Sequence, residues 1–237
     1  MTAGIARLVL FDIDGTLLWT DGAGRRAMEA ALIAVFGSPG TRSYHYDGKT
    51  DVQIVRELMR GEGHDDARID GSMTQVLEHY LSRLDEELLV SHAASAARIL
   101  AGVPELLDAL AARGDCAVGL LTGNLEPGAA RKLRSVGLDV ARFRVCAYGS
   151  DHESREELPA IAQRRARELL GVELHGESLV IIGDTPSDIA CGRRLGARAI
   201  AVATGRFGVE ELRRHGPAAV FPDLRDTAAV LEAIIGA

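Results

Sequence analysis

The feature that most constrains the fold is a series of short, nearly unbroken apolar runs, each ending in a small or polar residue. They occupy 7–11, 117–121, 143–146, 179–182 and 199–202, with a weaker one at 219–221. Runs this continuous do not alternate as half-exposed strands do. They read as parallel strands covered on both faces. Between the later runs lie helical patterns at 104–112, 126–136, 158–170 and 186–195. Three of these meet glycine at once, at Gly137, Gly171 and Gly196, and the first stops just before Gly114. Strand alternating with helix predicts an α/β fold, a Rossmann-like doubly wound parallel sheet. The ligands of such sheets sit beyond the carboxyl ends of the strands.

The stretch 20–96 breaks the rhythm. It shows no strand run, only helical spacing at 25–36, 51–60 and 73–89. The expectation is an inserted all-helical cap over 20–96, with the core formed by 1–19 and 97–237. The 237 residues suffice for such a core without disulfide staples. The small residues of Asp21-Gly22-Ala23-Gly24 suit a hinge.

Composition excludes several classes. A formal charge of −7 argues against a general nucleic-acid binder. No apolar run approaches the ~20 residues of a membrane span. Cys116, Cys146 and Cys191 are odd in number and widely spaced, which suits buried thiols in a reducing compartment. A soluble cytoplasmic protein is expected. The seven histidines include no His-x-x-x-His pair of the metal-binding kind. Nearly all the basic residues are Arg, with only Lys49 and Lys132 as exceptions.

The chemistry is concentrated at strand ends. In Leu10-Phe11-Asp12-Ile13-Asp14-Gly15-Thr16-Leu17, the period-two geometry of an extended chain lets Asp12 and Asp14 face one crevice. Two carboxylates so close repel each other unless a cation or a shared proton intervenes. A hard divalent ion such as Mg²⁺ resolves this with oxygen ligands. The same octapeptide also fits an Asp pair that merely caps a turn. A second pair follows another buried strand in Gly183-Asp184-Thr185-Pro186-Ser187-Asp188. There Asp184 would complete a metal site, and Asp188 also suits a helix start. Thr122-Gly123-Asn124, at a third strand end, offers a hydroxyl and backbone N–H groups to an anionic oxygen. The cation expected beside a nucleophile and a phosphate is assigned to Arg155. Arg164 and Arg165 lie deeper in a predicted helix.

In order and context, these motifs resemble the haloacid dehalogenase superfamily of phosphohydrolases. Asp12 to Thr16 match its Asp-x-Asp-Gly-Thr motif, Thr122 its Thr/Ser motif, and Gly183 to Asp188 its Gly-Asp-x-x-x-Asp motif. The third motif departs from the pattern, because Arg155 stands where Lys-Pro is commoner. The resemblance implies a helical cap in the first-linker position and a Mg²⁺-dependent phosphatase, phosphoglycolate phosphatase-like. It implies Asp12 as nucleophile and Asp14 as acid/base. Metal contacts would come from Asp12, Asp184 and a backbone carbonyl of Asp14, and phosphate contacts from Thr122, Gly123 and Asn124. Asp188 would orient Arg155 or a metal-bound water. Lys49 in the cap would reach an anionic substrate group, although a solvated loop Lys fits as well. Trp19 is read as a flap or core contact in preference to a crevice wall. Two alternatives stay open: a phosphomutase of the β-phosphoglucomutase type, and a non-catalytic regulatory protein that binds a phosphorylated ligand.

Overall fold

Arg7–Phe11 (β1) has no polar residue after its first, so both of its faces need apolar cover. The computed structural model, which describes residues 4–236, places β1 in the middle of a six-stranded sheet. Its companions are Cys116–Thr122 (β4), Val145–Tyr148 (β5), Leu179–Gly183 (β6), Arg198–Val202 (β7) and Ala219–Phe221 (β8). The order is β5-β4-β1-β6-β7-β8, and every pairing is parallel. Alternation along β1 divides the core. Val9 and Phe11 join one apolar cluster, Leu8 and Leu10 the other.

Helices cover both faces. Val103–Ala112 (α4), Glu126–Ser135 (α5) and Thr227–Ile235 (α9) supply side chains to the Phe11 cluster. Leu158–Leu170 (α6) and Pro186–Cys191 (α7) supply them to the Leu10 cluster. Val209–Arg213 (α8) packs Leu212 near Ile189 and Ala201. The sheet grows outward from β1 through β4 on one side and β6 on the other. That divergence opens a crevice at the carboxyl ends of β1, β4 and β6, where the three motifs fall.

Between β1 and β4 the chain leaves the sheet. Leu18–Trp19 (β2) and Arg98–Ile99 (β3) pair antiparallel, so departure and return lie side by side. The intervening helices are Ala23–Phe36 (α1), Asp51–Gly61 (α2) and Asp66–Ala93 (α3). Their apolar stripes, Ala27-Ala31-Leu32 in α1 and Val76-Tyr80-Leu84-Leu88 in α3 among them, meet in a cluster of their own. Asp21 and Gly22 adopt positive φ at the entry to α1, the place the sequence suggested for a hinge. Among the described residues no helix is long and apolar enough to cross a membrane.

Several expectations shift. The third strand lies at 145–148 instead of 143–146. The helix expected at 73–89 begins at Asp66, because Asp65 caps it by accepting from Arg68 N at 2.8 Å. The helix expected at 186–195 stops at Cys191 and gives way to a 3₁₀ turn at 193–195. Gly192 packs so tightly there that a Cβ would press on Ile181 and Ala197. The two-residue strands β2 and β3 are too short to leave a periodic signal.

Candidate active site

Asp12 follows β1 directly, its N–H donating to Ile182 O at 2.9 Å, and its side chain is buried. Asp184 follows β6 and is buried as well. Gly15, at φ +79°, and Gly205 approach the Asp184 carboxylate so closely that a Cβ on either would overlap it. Thr16 Oγ1 donates to Asp184 Oδ1 at 3.2 Å. One carboxylate oxygen each from Asp12, Asp184 and Asp188 lie within 4.8 Å of one another.

Burial pushes the Asp12 carboxyl up to about 6; Arg155 pulls it back, and Asp188 and Asp14 push it further. Burial, then Asp188 and Asp12, push Asp184 up in the same direction. Crowded, desolvated carboxylates with few donors of their own are the environment that a hard divalent cation relieves. The donor set therefore fits Mg²⁺. Asp188 is the least available of the three, since it is already satisfied. It accepts from Thr185 N at 3.0 Å and Thr185 Oγ1 at 2.6 Å, closing a capping box at the start of α7. It also takes the Arg155 guanidinium. Asp188 thus both opens α7 and pairs with Arg155.

Groups raised above their unfolded values contribute stability that is fully present below about pH 4 and lost as pH rises through about 6. The metal-free protein should therefore lose stability across that window, and Mg²⁺ should restore it. Thermal melts should show a larger Mg²⁺-induced rise in Tm at about pH 7.5 than at about pH 5. An equal rise at both would mean that these carboxylates do not bind the ion.

Arg155 opens a 3₁₀ turn after β5 and is almost fully buried. Its Nη2 lies 3.3 Å from Asp12 Oδ1, bonds Asp188, and donates to Leu121 O at 3.3 Å. Arg164 is exposed and faces Glu168, and Arg165 pairs with Asp151. Of the three arginines considered, only Arg155 reaches the carboxylates.

Asp14 faces the same cavity, but its carboxylate is not part of the acid cluster. Its Oδ2 accepts from Lys132 Nζ at 2.6 Å and Asn124 Nδ2 at 2.8 Å. The Asn124 carboxamide also donates to Thr122 Oγ1 at 2.8 Å and accepts from Lys132 at 2.6 Å. The Thr122 hydroxyl proton is left without an acceptor among the described residues, free for an anionic oxygen.

Lys132 is the residue that sequence reasoning missed. It is buried in α5, eight residues past Asn124, and no motif marks it. The available signal was compositional: an arginine-rich chain keeps only two lysines, and both line this cavity. Lys49, the other, does not extend freely. It pairs with Glu57, donates to Tyr44 Oη at 2.9 Å and lies over the Tyr44 ring. Trp19 lines the cavity instead of serving only as a flap or core contact.

The start of α2 closes the cavity from above. Thr50 is its N-cap, accepting from Gln53 N at 3.1 Å and donating to Glu153 O at 2.7 Å. Asp51 N donates to Gly123 O at 2.9 Å, and Asp51 Oδ2 accepts from Leu125 N at 2.8 Å. Burial raises the Asp51 carboxyl to about 6 against the pull of Lys132. A Cβ on Gly123 would overlap Lys49 O, so the smallest residue lets the two loops touch. The volume of the cavity is about 340 Å³.

The model of the family described as haloacid dehalogenase-like hydrolase matches residues 6–196. Among known proteins, a 5'-nucleotidase of Pseudomonas aeruginosa is 31% identical over 233 residues, covering 94% of this chain and 95% of the relative. A phosphoglycolate phosphatase of Yersinia pseudotuberculosis is 26% identical, covering 93% and 90%. The solved structure of a hydrolase from Pseudomonas syringae superposes with a TM-score of 0.73 at 21% identity, covering 96% of this chain and 98% of that one. The strand-end carboxylates, the parallel sheet and the matched family model agree, and the chain belongs to the haloacid dehalogenase-like hydrolases.

Proposed function

We propose that this protein is a Mg²⁺-dependent phosphatase of small phosphomonoesters that works through a phosphoaspartate on Asp12. The observation that carries this reading is the buried Asp12 carboxylate, held between Arg155 and the Asp184 cluster at the end of β1. In the first step an Asp12 oxygen forms a bond to phosphorus as the ester P–O bond breaks. Asp14, oriented by Lys132 and Asn124, gives a proton to the departing oxygen. In the second step water attacks the phosphorus of the aspartyl phosphate, Asp14 takes the water's proton, and Asp12 leaves as carboxylate. Thr122 and the backbone N–H groups of Gly123 and Asn124 receive phosphoryl oxygens, while Arg155 balances charge on Asp12 and the phosphoryl group. Asp12 and Asp184, with the Asp14 carbonyl, would hold Mg²⁺, which when bound supplies charge neutralisation for phosphoryl transfer.

We read 20–96 as the cap, because its helices share an apolar cluster and the 49–51 segment covers the site. The relatives' names make phosphoglycolate and nucleoside monophosphates the first substrates to try. Thr16, whose hydroxyl serves Asp184, supports hydrolysis over mutase chemistry, since mutases resembling this family often have Val there. The test is phosphate release from a panel of phosphoesters with Mg²⁺ and with EDTA. Release that needs Mg²⁺ is expected. Equal release in EDTA would refute the metal dependence, and none from any ester would refute the phosphatase.

A further inference from the structure

Beyond the phosphoryl end, the cavity holds four cations, and each has its own acid. Arg25 Nε lies 2.8 Å from Glu29, and its other nitrogens donate to the carbonyls of Tyr44 and Arg42. Lys49 pairs with Glu57 and Arg206 with Asp47. Lys132 pairs with Asp14 at 2.6 Å. Asp51, also on the wall, forms no ion pair among the described residues. Counting Asp51, this half of the cavity carries more acids than cations. A carboxylate on the leaving group would give up water to lie near Asp14 and Asp51, where the cations are already paired.

The same wall suits hydroxyl groups. The Lys132 ammonium has three protons and uses two, on Asp14 and Asn124; the third has no acceptor among the described residues. Its Nζ lies on the side of Gly24, where a Cβ would sit 3.1 Å from it, so the absent side chain keeps that approach open. Asp14 Oδ1 has no hydrogen-bond partner among the described residues, so it faces the leaving group unoccupied. Trp19, Tyr46 and Tyr80 add aromatic surface. The whole cavity, phosphoryl end included, measures about 340 Å³, at the low end of those that take ligands of drug size, so it has room for a leaving group larger than two carbons.

We propose that the site selects phosphomonoesters of an uncharged, polyhydroxylated alcohol, a sugar or a nucleoside, and that Lys132 is the specificity-determining residue that donates to a leaving-group hydroxyl. This rests on the phosphatase reading only for the placing of the phosphoryl group, so it is tested by binding without turnover. Calorimetry on the Asp12→Asn protein with Mg²⁺ compares ribose 5-phosphate, glucose 6-phosphate, a nucleoside 5'-monophosphate and phosphoglycolate. At least one polyol ester is expected to bind about tenfold or more tightly than phosphoglycolate, in line with one charge-assisted hydrogen bond. The arms separate sugar from nucleoside. Adding Lys132→Met should shrink that preference about tenfold. Adding Asp51→Asn, which keeps an acceptor for Leu125 N, should improve phosphoglycolate binding relative to the polyol esters. Phosphoglycolate binding as tightly as every polyol ester overturns the proposal, and so does an unchanged preference in both variants. Failure of the phosphatase reading shows separately, as wild-type protein that hydrolyses no ester, the unspecific reporter p-nitrophenyl phosphate included.

Discussion

Asp12→Asn protein is expected to fold as the wild type does and to lose turnover by a factor on the order of 10⁵ or more, as when a nucleophile is removed elsewhere. The substitution keeps the shape of the side chain and removes the attacking oxygen's charge. It should not weaken the fold, because Asp12 is one of several carboxylates crowded on one side of Arg155. Asp188 alone keeps the guanidinium paired, and relief of repulsion at Asp184 offsets the lost contact of 3.3 Å. Circular dichroism, thermal melts and steady-state phosphate release on matched preparations read these two effects separately. Near-normal release by pure Asp12→Asn protein would mean that another group attacks phosphorus.

Arg155→Ala should behave differently, because it removes the one cation that pairs with the buried acid cluster among the described residues. Asp188 and Asp12 would then lie in a desolvated site without their partner. Breaking a buried pair from one side typically costs about 3–5 kcal/mol. For a chain of this size that corresponds to a fall in Tm of roughly 10 °C. Activity should fall as well, by about 10²–10³-fold, the usual cost of one charge-stabilising donor. Arg164→Ala is the control: Arg164 is exposed on α6 and should change stability by no more than about 0.5 kcal/mol. Comparable losses in the two variants would show that Arg155 is not the cation of the site. Arg155→Lys should recover part of the stability without the full activity, since Nη2, which makes the contacts to Asp12, Asp188 and Leu121 O, lies one bond further from the main chain than a lysine Nζ.

Much of this was legible in the sequence. The apolar runs specify buried parallel strands because helices on both sheet faces leave no polar positions along them, as the divided cover of β1 illustrates. Asp12 and Asp184 could be placed together because each directly follows a buried apolar strand, and those two strands pair side by side in the sheet. The glycines go further than turn-making: Gly15 and Gly205 make room for the Asp184 carboxylate itself. Other features left no trace. The β2–β3 pair is a matter of two residues per strand. Lys132 reaches Asp14 only because α5 packs back over the strand ends, a tertiary fact that no local spacing encodes. Thr50 and Asp51 both read locally as helix caps; Thr50 is the cap, and the bond of Asp51 to Leu125 N spans the gap between two distant segments. Arg155 stood between these cases. Chemistry required a cation after the third strand, but nothing in Ser154-Arg155-Glu156-Glu157 shows that this arginine turns inward while its glutamate neighbours do not.

The most direct test of the central claim is to quench the wild-type protein in acid during turnover of an ester labelled in its phosphoryl group, digest it, and locate the label. The account predicts label on the peptide containing Asp12, released by hydroxylamine as an acyl phosphate is, and absent from Asp12→Asn protein. Label on another residue, or rapid turnover with no label on the protein at any quench time, would contradict it.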